Sequence, residues 1–461
     1  MNDVHAKLNP TRVAEVLRPG SLDETMRVVR AAARKGETLC VSGSRHAMGG
    51  QQFAEGRTLI DARGLNHVVD FDPERGQVEV GGGIEWPRLL AWLLRQGRGE
   101  TWTIRQKQTG ADRLSVGGAI SCNAHSRCLT RGPMVEDVES LLLVDPRGEP
   151  VRCSRTENPE LFALAVGGYG LFGIVHSAVL RLERRHKQVR IVEEVRADDL
   201  AARFAARIAE GYTLGDFQFD IDDASDEFLT RGVFSCYRPV PWDTPIPHDQ
   251  KKVPRNAWAQ LVLYAHTDKA KAYALYRDYY LSTTGQVYLS DTSQFGGYLK
   301  DYHEKLDRKL GASCPATEVI TELFVPRERL AEFLHGAAAE MRRLKGNVIY
   351  GTVRLVCRDD TTFLRWARDD YACVIFNLHV EHSPEGIEAA KGQFRALIDL
   401  ALSLDGNYYL TYHRWATKEQ VVAGYPQFER FLEKKREFDP GETFQSDWYR
   451  HYRAMFTEPR P

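Results

Sequence analysis

The sequence predicts an α+β protein of more than one domain, with an antiparallel sheet in its second part. Up to about residue 185, short β-branched runs are punctuated by turn residues and by two glycine-bearing loops. Beyond it, strand patterns alternate with longer helices. A length of 461 residues, 43% of them hydrophobic, is enough for two or three filled cores. The boundaries read from these shifts are residues 1–185, 186–407 and 408–461.

Ser21-Leu22-Asp23-Glu24 spells a capping box, so a helix is expected from there to about Lys35, with Val28, Val29, Ala32 and Ala33 inward and Gly36 as its stop. The stop delivers the chain into a short buried strand, Thr38 to Val41, and then into a loop, Ser42-Gly43-Ser44-Arg45-His46-Ala47-Met48-Gly49-Gly50-Gln51. Small side chains there let backbone N–H groups approach an oxyanion, and Arg45 adds a charge that suits a phosphate. The glycine spacing is neither that of a Rossmann fingerprint nor that of a Walker loop. Strands follow at Thr58 to Asp61, Val68 to Phe71 and Gln77 to Val80, then an amphipathic helix from Trp86 to about Gln96. The second loop, Thr109 to His125, holds Ser115-Val116-Gly117-Gly118-Ala119, a helix start of small residues whose amides face something flat or anionic. Ser140 to Val144 and Val151 to Ser154 read as a hairpin around Asp145-Pro146-Arg147-Gly148. A short helix, Asn158 to Val166, precedes a strand that ends near Leu182.

In the second part, strands are expected at Gln188 to Val195, Phe217 to Asp220, Gln260 to Ala265, Glu318 to Val325, Val348 to Val356 and Cys373 to Val380. Helices are expected at Asp199 to Ile208, Lys269 to Leu281 and Gly386 to Leu402, which gives a sheet covered by helices. The tail from Tyr408 combines a strand, the cluster Tyr412-His413-Arg414-Trp415, a helix and a Phe438-Asp439-Pro440 turn.

Composition excludes several classes. With 62 basic against 63 acidic residues there is no surface for a polyanion, so no nucleic-acid partner is expected. The eight cysteines form no CxxC pair and no zinc spacing, which fits a reducing compartment and no metal. Met1 to Pro10 lacks the apolar core of a signal peptide, and no apolar run is long enough to span a bilayer. A cytoplasmic protein without a transmembrane segment is expected.

Four motifs in order carry a resemblance: the His46 loop, the Ser115 to Ala119 helix start, Gly170-x-x-Gly173-Ile174, and Asp439-Pro440-x-x-x-Phe444-x-Ser446-Asp447. Together they resemble the vanillyl-alcohol oxidase and p-cresol methylhydroxylase (PCMH-type) group of FAD-dependent oxidoreductases, over about the first 185 residues and the last 50. Within it the chain looks most similar to alditol and aldonolactone oxidases and to the decaprenylphosphoryl-ribose oxidase. The resemblance implies an FAD-binding domain built from both chain ends and a cap domain that walls the substrate. It implies that Val41, Ser42, Gly43, Ser44, Arg45, His46, Ala47, Gly50 and Gln51 hold FAD, together with Gly110, Ser115, Val116, Gly117, Gly118, Cys122, Asn123, His125, Ile174 and Tyr409. His46 occupies the place of the histidine that sugar oxidases bond to the flavin 8α-methyl, so covalent FAD is one reading; a plain pocket histidine and a turn histidine are the others. Arg45 stands where those oxidases carry glycine, and Ser126 where glycine follows the second histidine.

Catalytic candidates come from the same resemblance and, for Tyr412 and His413, from their own proton chemistry. Glu322, on an apolar strand, matches an active-site glutamate of the sugar oxidases, although alternation leaves the outer face open to it. His125 either orients the flavin and substrate or is a satisfied helix-end histidine. Tyr412 and His413 either form a proton relay or pack between domains. Cys373 matches a flavin-facing cysteine of the ribose oxidase, against the commoner buried strand cysteine; Cys122 and Cys128 read as small buried hydrophobes. The implied activity is oxidation of a small-molecule alcohol or sugar by hydride transfer to flavin N5, with oxygen or another electron acceptor. The alternatives are a dehydrogenase with a non-oxygen acceptor and a polyprenyl-linked or apolar substrate, and a binding module that keeps the fold without catalysis.

Overall fold

A computed structural model describes residues 1–97, 101–252, 254–296 and 302–457. The amino-terminal part opens with a parallel three-stranded sheet in the order β1 (Glu15–Leu17), β3 (Thr58–Asp61), β2 (Leu39–Ser42), with α1 (Leu22–Lys35) packed by Val29 and Ala32. Helix α1 starts on Ser21, whose side chain accepts from Glu24 N–H, and stops on Gly36 in the left-handed region. The box is only half formed: the Glu24 carboxylate takes the N–H of Gly20 instead of that of Ser21.

A second, antiparallel sheet follows in the order β4 (Val68–Asp72), β5 (Gln77–Gly81), β9 (Ile174–Arg184), β7 (Val138–Val144), β8 (Pro150–Ser154), with β6 (Trp102–Ile104) added to β9. Helices α2 (Trp86–Leu93), α3 (Val116–Ser121) and α4 (Pro159–Ala165) cover it. Helix α2 ends about a turn earlier than its pattern suggests.

From residue 187 the chain builds one large antiparallel sheet, in the order β13 (Val287–Leu289), β10 (Lys187–Arg196), β12 (Arg231–Val240), β11 (Leu214–Phe219), β15 (Val348–Val356), β16 (Tyr371–Glu381), β14 (Ala316–Pro326), β17 (Asn407–Tyr408). Helices α5 (Ala197–Ala209), α9 (Leu330–Arg343) and α10 (Pro384–Ser403) pack together on one side, while α6 (Arg255–Thr267), α7 (Lys269–Leu281) and α8 (His303–Leu310) lie over the other. The segment Gln260 to Ala265, expected as a strand, is the second half of α6. Its apolar run is too short to carry a period of its own, and Pro254 with Ala257 and Ala259 starts a helix ahead of it. Trp258, Leu261, Val262 and Ala265 then recur at helical spacing along one cavity wall.

After β17 the chain passes to the amino-terminal part through α11 (Lys418–Gly424), α12 (Phe428–Phe438) and α13 (Asp447–Thr457). Gln51 donates its amide to the carbonyls of Leu410 and Thr411 at 2.8 and 3.0 Å, and Phe444 bridges Leu39. Among the described residues no helix is long and apolar enough to cross a membrane.

Candidate functional site

A cavity of about 620 Å³ runs from the two glycine-bearing loops to the face of the large sheet. The first loop leaves β2 and turns at Arg45, a non-glycine residue with φ of 63°. The two loops meet closely: a Cβ at Gly43 would stand 2.0 Å from Ser115 Oγ, so glycine there lets them touch; one at Gly117 would stand 2.7 Å from the carbonyl oxygen of Gly82, just after β5, so glycine there lets α3 approach that turn. Arg45 Nε, Gln52 Oε1, Gln108 Nε2 and Thr109 Oγ1 line this end, buried and without a protein partner. Buried polar atoms are almost always satisfied, so this end offers unpaired donors and one acceptor to a polar ligand.

His46 lies in the same wall. Its Nε2 reaches the Arg113 carbonyl at 3.1 Å, and its Nδ1 lies 2.7 Å from His5 Nε2. Burial pushes its pKa down to about 3, so the ring is neutral. A carbonyl only accepts, so Nε2 carries the proton and Nδ1 presents the lone pair.

The substrate end is floored by the large sheet. In the antiparallel register Glu322 opposes Ile375, which opposes Thr352, so these three share a face, and with them, two residues along each strand, Ile320, Asn377 and Arg354. Glu322 is 2% exposed, and three groups converge on it. His125 Nε2 is bonded to Oε1, the Cys373 thiol donates to Oε1 at 3.0 Å, and the Tyr412 hydroxyl donates to Oε2 at 2.9 Å. Burial alone would raise the carboxyl's pKa; the charge and hydrogen bond of His125, the Cys373 thiol and the more distant Arg354 outweigh it and hold the group below its ordinary value. His125 Nδ1 faces the Ser126 carbonyl at 3.1 Å and donates there, which fixes the ring with Nε2 toward Glu322. Burial, and next the charge of Glu322, push the Tyr412 hydroxyl and the Cys373 thiol well up, so both stay protonated.

The tail supplies the third wall. Tyr409 donates its hydroxyl to the Cys122 carbonyl at 2.7 Å, and Tyr169 meets Thr411 Oγ1 at 3.3 Å. His413 does not reach the cavity: its ring stacks on Trp415 at 4.3 Å with Phe394 edge-on, and burial drives its pKa to about 3. Of the pair proposed as a relay, only Tyr412 is in place. Four residues expected at the cofactor also stand behind the lining. Ser42 and Val116 are buried in the elements that carry the loops, and Gly50 backs onto Arg414. Asn123 ties Val135 N–H to Asp359. Val41, Gly43, Ser44, Ala47, Gln51, Gly110, Ser115, Gly117, Gly118, Cys122, His125, Ile174 and Tyr409 all line the cavity. Cys373 does not line it, and acts through Glu322. Gln52, Gln108, Thr109 and Arg354 were not singled out from sequence: the first three are polar residues beside other polar residues, and Arg354 is one arginine on an apolar strand, whose face the sequence does not fix.

At the far end Glu318 gathers three histidines: His303 Nδ1 at 2.9 Å, His266 Nε2 at 3.1 Å and His379 Nδ1 at 3.5 Å. Burial would raise its pKa, but hydrogen bonds from His266, His303 and His379 hold it well below the ordinary value. This network ties α6 and α8 to the sheet.

Comparison with known proteins agrees with the cofactor end. Residues 13–154 match the family described as FAD binding domain. An uncharacterized oxidoreductase, ORF5 in the fasciation locus of Rhodococcoides fascians, is 32% identical over 190 residues, 41% of this chain and 41% of that protein. Cytokinin dehydrogenase 4 of Oryza sativa subsp. japonica is 31% identical over 196 residues, 40% of this chain and 36% of its own. Cytokinin dehydrogenase 5 of Arabidopsis thaliana is 32% identical over 192 residues, 40% and 34%. The chain thus spans about two fifths or less of the length of these relatives, and none of the three names is that of a sugar or alcohol oxidase. Residues 13–154, the stretch that folds into the cradle around Gly43 and Ser115, carry the FAD-binding domain of the PCMH-type FAD-linked oxidoreductases, and FAD is its cofactor.

Proposed function

We propose that this protein is an FAD-dependent oxidoreductase that oxidises a hydroxyl-bearing carbon of a small molecule. The observation that supports this is the buried Glu322 carboxylate, which takes hydrogen bonds from His125, Cys373 and Tyr412 in the cavity that joins the cofactor cradle to the large sheet. Bound FAD supplies the acceptor for the hydride leaving carbon. The protein must then take the hydroxyl proton, and Glu322, kept ionised, is its destination. Tyr412 lines the cavity and is hydrogen-bonded to Glu322, so a proton given to its oxygen is matched by one passed to Oε2. His125 holds the carboxylate from the other oxygen, and Tyr409 packs against the His125 ring with centroids 6.3 Å apart. The polar floor favours a hydroxyl-rich substrate: Asp216 Oδ1, Gln218 Oε1 and Thr352 Oγ1 line the cavity, buried and unpartnered. At the cofactor end, the neutral ring of His46 in the first loop is the residue offered for a covalent flavin bond, once its Nδ1 gives up the hydrogen bond from His5.

A second reading rests on the apolar roof of Trp258, Leu261, Val262 and Ala265, which suits a substrate with an apolar arm. The relatives named cytokinin dehydrogenases add a substrate of another kind to test. Anaerobic mixing of the holoenzyme with polyols, aldonolactones, a polyprenyl-phosphate sugar and a cytokinin, read as bleaching of the oxidised flavin, decides between them. Bleaching by polyols or sugars supports the reading; bleaching by the cytokinin alone overturns it. Admitting air and assaying peroxide then separates oxygen from other acceptors.

A further inference from the structure

Among the cations that line the sheet end of this cavity Arg354 is the exception. Arg127 is paired with Asp216 at 3.2 Å, and Arg190 donates to the Tyr237 hydroxyl at 2.7 Å. Arg354 is 8% exposed, yet its guanidinium makes no hydrogen bond and no ion pair to any described residue, and its Nε is buried and unpartnered. A buried guanidinium with five idle N–H donors is costly unless something arrives to take them.

The register says where it points. Arg354 opposes Cys373, which opposes Phe324; Thr352 opposes Ile375, which opposes Glu322. Opposed residues share a face, so Arg354 looks into the same cavity as Glu322 from a strand about 10 Å away, two strand spacings. The cavity therefore carries a carboxylate at the reacting end and a planar cationic fork at the other, with Gln218 and Thr352 beside the fork; the Asp216 carboxylate on the next strand is matched by its own cation, Arg127, at 3.2 Å, which leaves the Arg354 charge for an incoming anion.

We propose that Arg354 reads an acidic group on the substrate, so that the alcohol oxidised at Glu322 is an anionic one, a hydroxy acid or a phosphorylated polyol. This rests on the reading of the cavity as the site of alcohol oxidation. The anion seats on Arg354 and so directs the carbinol end toward Glu322 and Tyr412. A carboxylate and a phosphate oxygen pair fit the fork equally, and the experiment separates them.

The test uses holoenzyme with matched pairs: gluconate against glucitol for the carboxylate, and glycerol 3-phosphate against glycerol for the phosphate. Calorimetric titration and anaerobic flavin bleaching are measured for wild type, Arg354→Gln and Arg354→Lys, each checked for flavin content. In wild type at least one anionic member should bind and reduce on the order of tenfold better than its neutral partner, the minimum expected of a charge-assisted fork. The anionic-to-neutral ratio should collapse in Arg354→Gln and recover in part in Arg354→Lys; which pair shows it identifies the acid. Equal handling of both members of both pairs in wild type, or a ratio that survives Arg354→Gln, overturns the proposal. If no alcohol bleaches the flavin but gluconate or phosphate still binds in an Arg354-dependent way, the anion site stands and the oxidation reading falls. If neither anion binds, the anion site falls.

Discussion

The hydroxyl of Tyr412 lies 2.9 Å from Glu322 Oε2, across 90 residues of sequence, and joins the carboxyl-terminal tail to strand β14 of the large sheet. On the other oxygen His125, by its charge and hydrogen bond, and then the Cys373 thiol and Arg354 hold below its ordinary pKa a carboxyl that burial alone would raise.

Glu322→Gln keeps the shape and removes the acceptor, so flavin reduction by a good alcohol should slow by roughly 10²–10⁴-fold, the usual span of general-base effects. Tyr412→Phe should slow it as well while leaving flavin content intact. In wild type the acidic limb of kcat/KM, measured by pre-steady-state mixing, should lie below the ordinary range of a glutamate, because the folded pKa is lowered.

Covalent attachment at His46 should show as a fluorescent band on a denaturing gel after acid treatment, absent from His46→Ala. The adduct, mapped by tandem mass spectrometry, should sit on the peptide that contains residue 46. A yellow native protein with no fluorescent band would sink the covalent claim.

His413, stacked away from the cavity, should matter to stability rather than to turnover. Its folded pKa of about 3 lies below the unfolded value of 6.5, so only the unfolded chain takes up the proton as pH falls below 6.5. The resulting penalty reaches roughly 3 kcal/mol near pH 4.5, at about 1.4 kcal/mol per unit. His413→Phe should flatten this part of the Tm-against-pH curve while retaining flavin reduction; abolished reduction in a folded variant would restore it as a relay residue.

Glu318 carries the opposite kind of group. Its carboxyl pKa is lowered by three histidines, so its stabilisation is complete above the unfolded value of 4.5 and is lost as pH falls through the folded value. Glu318→Gln should cost about 3 kcal/mol at neutral pH, as for one partner removed from a buried charged network, and the gap to wild type should close in acid. Thermal unfolding from pH 7 to pH 3 reads both.

Much of this was legible in the residues. The helix before the histidine loop, the hairpin around Asp145 and the strand bearing Glu322 follow from caps, turns and alternation, because those signals are local. Helix α6 was not, since its apolar run suited either period until Pro254 placed its start. The partners of Glu322 lie 51, 90 and 197 residues away, and only tertiary register brings them together. His413, next to Tyr412, shows the limit in the other direction: neighbours in a turn point to different sides. Arg354 differs from other strand arginines only in lacking a partner, which no sequence pattern displays.

The wall formed by Tyr409, Thr411 and Tyr412 has a consequence for biogenesis. The two glycine-bearing loops are made first, and nearly 300 residues of chain must follow before that wall exists. A ribosome that has delivered the whole matched FAD-binding stretch has thus delivered an open vessel. The cavity closes only when the last segment docks against Gln51 and Leu39, and a chain released early would leave it open.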